Sequence, residues 1–446
     1  MNAPGRLRTD AGRIWTAALR AVDPGAAVRR HVRRRKNALL AGGRIYDLDR
    51  FGNVWALGAG KAAAPMGKAL ETILGGRLAG GLLVTKYGHG IGLKRLETVE
   101  AGHPLPDSNS VAAAQRMAAF AGDRVAPGDL VFCLLSGGAS SLLASPAEGI
   151  ALGDKIRCTQ ALLRAGASIR ELNAVRKHLS ALKGGGLARR LHPATVVSVA
   201  LSDVVGDDPS TIASGPTVPD PTTFSDCLEI LRRLSVADSV PGAVTRRLRR
   251  GAAGEIAETP KAGDPAFRAA AFLVAGSNAE ACRAAAAAAR RLGYHATVLT
   301  SRLEGDTAAA ARFHMSVLEE VVSHGRPVRR PACVLSGGET TVRVAGGGRG
   351  GRNQEFVMHC VRHLAELPAP CLVASLGTDG TDGPTDAAGA VADNASLARS
   401  LAIGAAFLER SIEDNDSYAF FKGLGDLIVT GPTRTNVMDL HILLAG

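Results

Sequence analysis

The chain has 446 residues, 46% of them apolar, and a formal net charge of +12, which is length enough for two domains with sizeable cores. No apolar run reaches the roughly 20 uncharged residues a membrane span needs, and residues 1–20 lack the apolar centre of a secretory leader. Seven scattered cysteines without a Cys-x-x-Cys pair argue against a disulfide framework or a structural zinc site, so a cytoplasmic protein is expected.

In chain order, the first feature is charge. Residues 1–50 carry a net +8, densest at Arg29, Arg30, His31, Arg33, Arg34, Arg35 and Lys36. No aromatic residue interleaves that run, so it offers no stacking platform for a nucleic acid. Val28 and Val32 give it an apolar edge, and it reads as the solvated face of a helix. Short apolar runs then recur, each closing on small or polar residues: 54–57 before Gly58-Ala59-Gly60, 130–135 before Ser136-Gly137-Gly138, and 196–201 before Ser202-Asp203. Later come 272–275 before Gly276, 332–335 before Ser336-Gly337-Gly338, and 371–374 before Ser375-Leu376-Gly377. Residues 61–74 and 279–292 read as helices. Continuous apolar strands alternating with helices predict an α/β fold of two domains, with largely parallel, Rossmann-like sheets covered on both faces. Ligands in such sheets bind beyond the carboxyl ends of strands, where every candidate site in this sequence falls. The charged stretch 246–265 reads as a linker, giving domains 1–250 and 266–446. Strand-like segments at 427–429 and 436–444 either close the second sheet or return to the first.

Two polar, glycine-dense regions carry the chemistry. One runs Ser336-Gly337-Gly338-Glu339 and then Gly346 to Glu355, including Gly351, Arg352 and Asn353. The other runs Gly377-Thr378-Asp379-Gly380-Thr381-Asp382-Gly383. Backbone donors, an arginine fork and carboxylates are the parts of a phosphoryl-transfer site. Ser136, Gly137, Gly138 and Ser140 form a loop suited to a small carboxylate or polyol. Gly337, Gly338, Glu339, Gly351 and Asn353 suit a nucleotide, and Asp379 and Asp382 suit Mg²⁺. Lys61 adds an ammonium to a helix start, which calls for an anion nearby. Asp203 follows a strand and is placed to take a hydroxyl proton, whereas Asp207 and Asp208 fit a turn equally well. His103 follows another strand-like run and joins the substrate group. The Walker pattern and Gly-x-Gly-x-x-Gly are both absent.

Several segments together resemble the glycerate 2-kinase family, the class II glycerate kinases with a MOFRL C-terminal domain. They are Gly58-Ala59-Gly60-Lys61, Ala101-Gly102-His103-Pro104, Leu135 to Leu142, Leu201 to Asp207, Ser336 to Thr341, Gly350 to Glu355, Gly377 to Gly383 and Thr430 to Val437. The resemblance covers nearly the whole chain. It implies ATP- and Mg²⁺-dependent phosphorylation of D-glycerate at its 2-hydroxyl in a cleft between two α/β domains, with Lys61, Asp203 and Arg352 as the catalytic group. In that scheme Asp203 orients or deprotonates the hydroxyl, while Lys61 and Arg352 stabilise charge on the transferred phosphoryl. The partners are then small molecules, with no nucleic acid and no membrane. Hydroxypyruvate reductase is the rival enzyme, and a non-catalytic sugar-phosphate-binding regulator is the rival of another class.

Overall fold

The computed structural model describes residues 3–446, and the chain forms two compact units. The first unit comprises Pro24–Ser202 and Asp207–Ala275. It begins with the helix Pro24–His31 and an antiparallel meander of β1 (Val32–Arg35), β2 (Ala38–Ala41) and β3 (Arg44–Asp47). The basic run is therefore split, which corrects the single helix expected from sequence. Arg29, Arg30 and His31 end the helix, while Arg33, Arg34 and Arg35 lie on β1. Val28 and Val32 stand four apart and fit either structure; pairing of Val32 with Ala41 across the hairpin decides for the strand.

The main sheet of this unit contains β4 (Val54–Ala59), β5 (Leu78–Lys86), β6 (Leu96–Ala101), β7 (Leu130–Leu135), β8 (Thr195–Leu201) and β9 (Ala270–Gly276), in the order β6-β5-β4-β7-β8-β9. Every pairing from β6 to β8 is parallel. Alternate residues feed two cores, because successive side chains point to opposite faces. Ala56 and Phe132 pack in one core with Met66 and Leu70 of the helix Ala63–Leu74. Leu57 and Val131 pack in the other with Ala113 and Met117 of the helix Ser108–Asp123.

The second unit comprises Asp203–Gly206, Gly276–Gly446 and the opening helix Ala3–Ala21. Its sheet contains β10 (His295–Leu303), β11 (Ala332–Gly338), β12 (Cys371–Gly377), β13 (Gly389–Asp393), β14 (Leu427–Ile428) and β15 (Asp439–Ala445), in the order β10-β11-β15-β12-β13-β14. The parallel expectation holds in the first sheet and is corrected here. Only β10 and β11 are parallel neighbours; β15 enters antiparallel between β11 and β12, and β13 and β14 continue antiparallel. An apolar run reports burial, not direction. Strand β15 is buried at every position, so the late strands close the second unit's own sheet.

The expected boundary at 250–266 also gives way. Residues 246–252 continue the helix Gly242–Ala252, and the chain then lays β9 beside β8. Helix Ala3–Ala21 belongs with the second unit because Ile14 and Ala18 pack against Ala281 and Ala285 of the helix Asn278–Arg291. Charged, irregular composition marks a loop but says nothing of where the next strand pairs. Among the described residues, no helix is long and apolar enough to cross a membrane.

Candidate active site

Strand order in the first sheet reverses at β4 and β7: the chain builds outward to β6 on one side, then returns to β7 and builds toward β9 on the other. The carboxyl ends of two such strands diverge and leave a crevice where α/β proteins take ligands. Lys61 stands at the end of β4 and the Ser-Gly-Gly loop at the end of β7. The two are tied together, since the Lys61 N–H donates to the Gly137 carbonyl at 2.9 Å and the Ser136 N–H to the Ala59 carbonyl at 3.0 Å. Ser136 is buried, and its Oγ accepts the Ala62 N–H at 3.0 Å. That corrects its expected role: Ser136 fixes the turn rather than facing a substrate. Gly60, at φ +133°, lies against it so closely that any Cβ would fall on Ser136.

Gly138 has φ +86°, a conformation costly for any residue with a Cβ. A Cβ there would lie 2.8 Å from His103 Cδ2, 3.0 Å from His103 Nε2 and 3.5 Å from Lys61 Cγ. Lys61, His103 and the loop thus converge on one point. The N–H groups of Gly137 and Gly138 donate to no acceptor among the described residues. The neighbouring Ser140 Oγ lies 2.8 Å from Ser214 Oγ, and the Ser214 hydroxyl donates to Asn173 Oδ1 at 3.1 Å. Ala213 and Ser214 hold φ +54° and +60°, strained positions for residues with side chains, of the kind that cluster at functional sites.

The second unit gathers the other group. Arg352 opens the helix Arg352–Glu366. Its Nε and Nη2 donate to the two oxygens of Asp439 at 2.5 and 3.1 Å, and Nη1 donates to Glu339 at 2.7 Å. Asp439 is fully buried, and about a third of the Arg352 side chain is open. Despite desolvation, Asp439 and Glu339 hold the Arg352 pKa above its already high ordinary value. Desolvation pushes the Glu339 carboxyl up, and Asp439 and Asp203 push the same way against the pull of Arg352. Asp379 acts on Asp439 in the same sense. The guanidinium thus bonds two carboxylates, Asp439 and Glu339, of a larger acidic cluster. Asp208, by contrast, accepts from Ser210 and Thr211 and caps a turn.

Several assignments change. Gly337 and Gly338 lie inside β11, opposite Leu440 and Asp439 of β15, so they form no anion cradle. They are glycines because Asn278 covers Gly337 and the Leu303 backbone covers Gly338. Asn353 is buried, donates to Asp439 and Asp382 at 3.0 and 3.2 Å, and accepts from Ser375 at 2.6 Å; it supports Arg352's partner and does not face a nucleotide. Gly351 is required by the close approach of Asp382. Asp382 is buried, and its two oxygens accept four N–H bonds from Asn353 and Gln354. It caps a helix and has no free face for a metal. The N–H groups of Gly346, Gly347 and Gly348 are likewise taken, by Asn415 and Asp414. Among the described residues, no three His, Cys, Asp or Glu side chains could hold a metal by themselves. Mg²⁺ carried by a triphosphate needs only one or two carboxylates, a demand that Asp379 and the crowded Glu339 would fit. Asp439 escaped sequence reasoning because it opens an apolar strand and reads as its polar edge.

These features define an α/β enzyme equipped for small anions, with a loop and lysine at a sheet switch point and a clamped arginine among carboxylates. Residues 10–249 match the profile of a domain of unknown function, DUF4147, and residues 332–439 match the MOFRL family. The chain is 41% identical over 433 residues to glycerate 2-kinase of Pyrococcus horikoshii, covering 97% of this chain and 96% of that one. A relative from Agrobacterium vitis with a provisional hydroxypyruvate reductase name is 42% identical over 97% of this chain and 93% of its own. The crystal structure of glycerate kinase from Thermotoga maritima superposes with a TM-score of 0.86 at 38% identity, covering 99% of this chain and all of that one. The chain belongs to the glycerate 2-kinase family, with its paired DUF4147 and MOFRL domains.

Proposed function

We propose that the protein transfers the γ-phosphoryl group of ATP to the 2-hydroxyl of D-glycerate, giving 2-phospho-D-glycerate and ADP. The observation that carries this reading is the whole-length identity to a glycerate 2-kinase, and the geometry supplies fitting parts. The Gly137 and Gly138 N–H groups, Ser140 and His103 hold the acceptor. Lys61 and Arg352 offset charge on the phosphoryl group, and Asp203 orients or deprotonates the hydroxyl. Asp379 and Glu339 would hold Mg²⁺, which neutralises phosphate charge when bound. All seven cysteines are reduced and buried, which suits the cytoplasm, where we place the reaction.

A reductase needs open N–H groups at a helix start to hold a dinucleotide pyrophosphate. The dinucleotide fingerprint Gly-x-Gly-x-x-Gly is also missing after β4, where Gly58-Ala59-Gly60 is followed by Lys61-Ala62-Ala63 and the Lys61 and Ala62 N–H groups are taken by Gly137 and Ser136. A phosphate-binding regulator is disfavoured by the carboxylates around Arg352, which repel a phosphate that arrives without a cation. The test is ³¹P NMR of the product formed from ATP, Mg²⁺ and D-glycerate. A 2-phosphoglycerate resonance that disappears with chelator is expected. NADH oxidation by hydroxypyruvate without ADP formation would overturn the proposal.

A further inference from the structure

Three cations lie in the first unit beside the loop that follows β7. Lys183 is buried, and its Nζ donates to the Ser140 carbonyl at 2.8 Å and the Leu143 carbonyl at 3.3 Å. Lys155, on the helix Leu152–Arg164, has a buried Nζ with no hydrogen-bond partner. Arg176 stands on the helix Ile169–His178, three residues after Asn173 and so on the same face. Asn173 is the residue that accepts from Ser214, which in turn meets Ser140. Among the described residues, none of the three cations forms an ion pair with a carboxylate. Nearby acids are committed elsewhere: Asp154 pairs with Arg157, Asp220 with Lys177, and Glu171 with Arg233.

Buried charges are normally paired, and an unpaired one is costly. Here three basic groups share a small region, and Arg176 depresses the ionisation of both lysines. Burial and Arg176 push Lys155 down to about 7. Burial, Lys155 and Arg176 push Lys183 well down, and burial lowers Arg176. The titratable neighbour from the same helix as Lys155 is Cys158, which burial keeps as a neutral thiol. Three basic side chains gathered without a carboxylate, one of them a buried Nζ with no hydrogen-bond partner, are a donor set suited to an anion.

We propose that Lys155, Arg176 and Lys183 form the carboxylate subsite for the acceptor, acting with the Ser140 and Ser214 hydroxyls and the free Gly137 and Gly138 N–H groups. This rests on the kinase reading above and deepens it. The acceptor class is a small 2-hydroxy acid, and the subsite selects acids over the corresponding polyols. In this arrangement Lys155 and Lys183, whose Nζ atoms are buried, supply charge, and Arg176, being half-buried, is the one to meet an incoming carboxylate with its fork.

The test uses the full chain, Lys155→Met and Arg176→Gln. Thermal shift with D-glycerate, L-lactate, glycerol and inorganic phosphate is measured without ATP, and steady-state kinetics are measured with each substrate varied. Lys155→Met removes a buried amine that has no hydrogen-bond partner and is expected to fold at least as stably as the parent. D-glycerate and lactate should stabilise the parent, glycerol should not, and both variants should lose that response. In kinetics, the D-glycerate KM should rise on the order of 10²-fold, with the ATP KM within about threefold. Unchanged glycerate KM in both variants, or a loss in ATP KM alone, would overturn the subsite while leaving the kinase reading in place. Stabilisation by phosphate but not by the acids would make it a phosphate site and also overturn the proposal. A parent that never phosphorylates glycerate, yet loses acid-induced stabilisation in both variants, would keep the subsite and sink the kinase reading.

Discussion

Replacing Gly138 by Ala tests whether the loop after β7 is shaped for a ligand or merely turns the chain. Two costs are involved. The first is conformational: at φ +86°, an L-residue costs about 1–2 kcal/mol. The second is steric. The new methyl would lie 2.8 and 3.0 Å from the His103 ring, so the ring must move, and forced overpacking costs about 1–3 kcal/mol. Gly128 provides the control. It also has φ +86°, but nothing lies within 4 Å of its would-be Cβ, so Gly128→Ala carries the first cost alone. Denaturant midpoints for the two variants should therefore differ by the steric part, and only Gly138→Ala should alter kinetics. Displacing His103 next to Lys61 should raise the D-glycerate KM at least about tenfold, because small misplacements at a site are expensive, while the ATP KM stays within about threefold. If Gly138→Ala matches Gly128→Ala in both stability and glycerate KM, or harms only ATP use, the loop does not hold the acceptor.

Arg352→Lys keeps a positive charge but loses the planar fork held by Asp439 and Glu339, and kcat/KM with ATP varied should fall on the order of 10²-fold; full activity would show that the fork is not used. Asp439→Asn instead removes the buried partner of a largely buried arginine, and calorimetry should show a loss of about 3 kcal/mol. Burial raises the Asp382 carboxyl to about 6 from 3.8. The folded chain therefore binds its proton more tightly than the unfolded one, and stability contributed there is lost as pH rises from about 4 to 6; urea titrations of Asp382→Asn should lack that slope. Lys155 is depressed from 10.5 to about 7, so the unfolded chain holds the proton more tightly in that window. Ligand-free stability should rise with pH between them, by up to ~5 kcal/mol, and Lys155→Met should flatten the rise in a Tm-against-pH series.

What sequence made legible was what burial dictates. Runs such as Leu130–Leu135 and Cys371–Gly377 are buried at every position, so their composition alone marked them as strands, and Lys61 stood out because a cation at a helix start is unfavourable without an anion. Identical tripeptides diverged because their partners differ. Ser136-Gly137-Gly138 leaves the sheet at a switch point, whereas Ser336-Gly337-Gly338 is paired by β15, more than a hundred residues away in the chain. No local signal distinguishes them. Asp382 looked like a metal ligand because aspartate in a glycine loop suits either role, and only its four donors from Asn353 and Gln354 settle the matter. Lys155, Arg176 and Lys183 carry no signal in the sequence, which shows the spacing of cations but not the absence of acids in space.

The central place of β15 bears on how the molecule is made. Until Asp439–Ala445 has left the ribosome, β11 and β12 have no neighbour between them, and each presents an apolar edge ready to pair with whatever strand is near. During synthesis the second unit therefore passes through an interval in which its two halves are open to mispairing or aggregation. Removing that strand would make the interval permanent, so its loss should register as insolubility before it registers as lost catalysis.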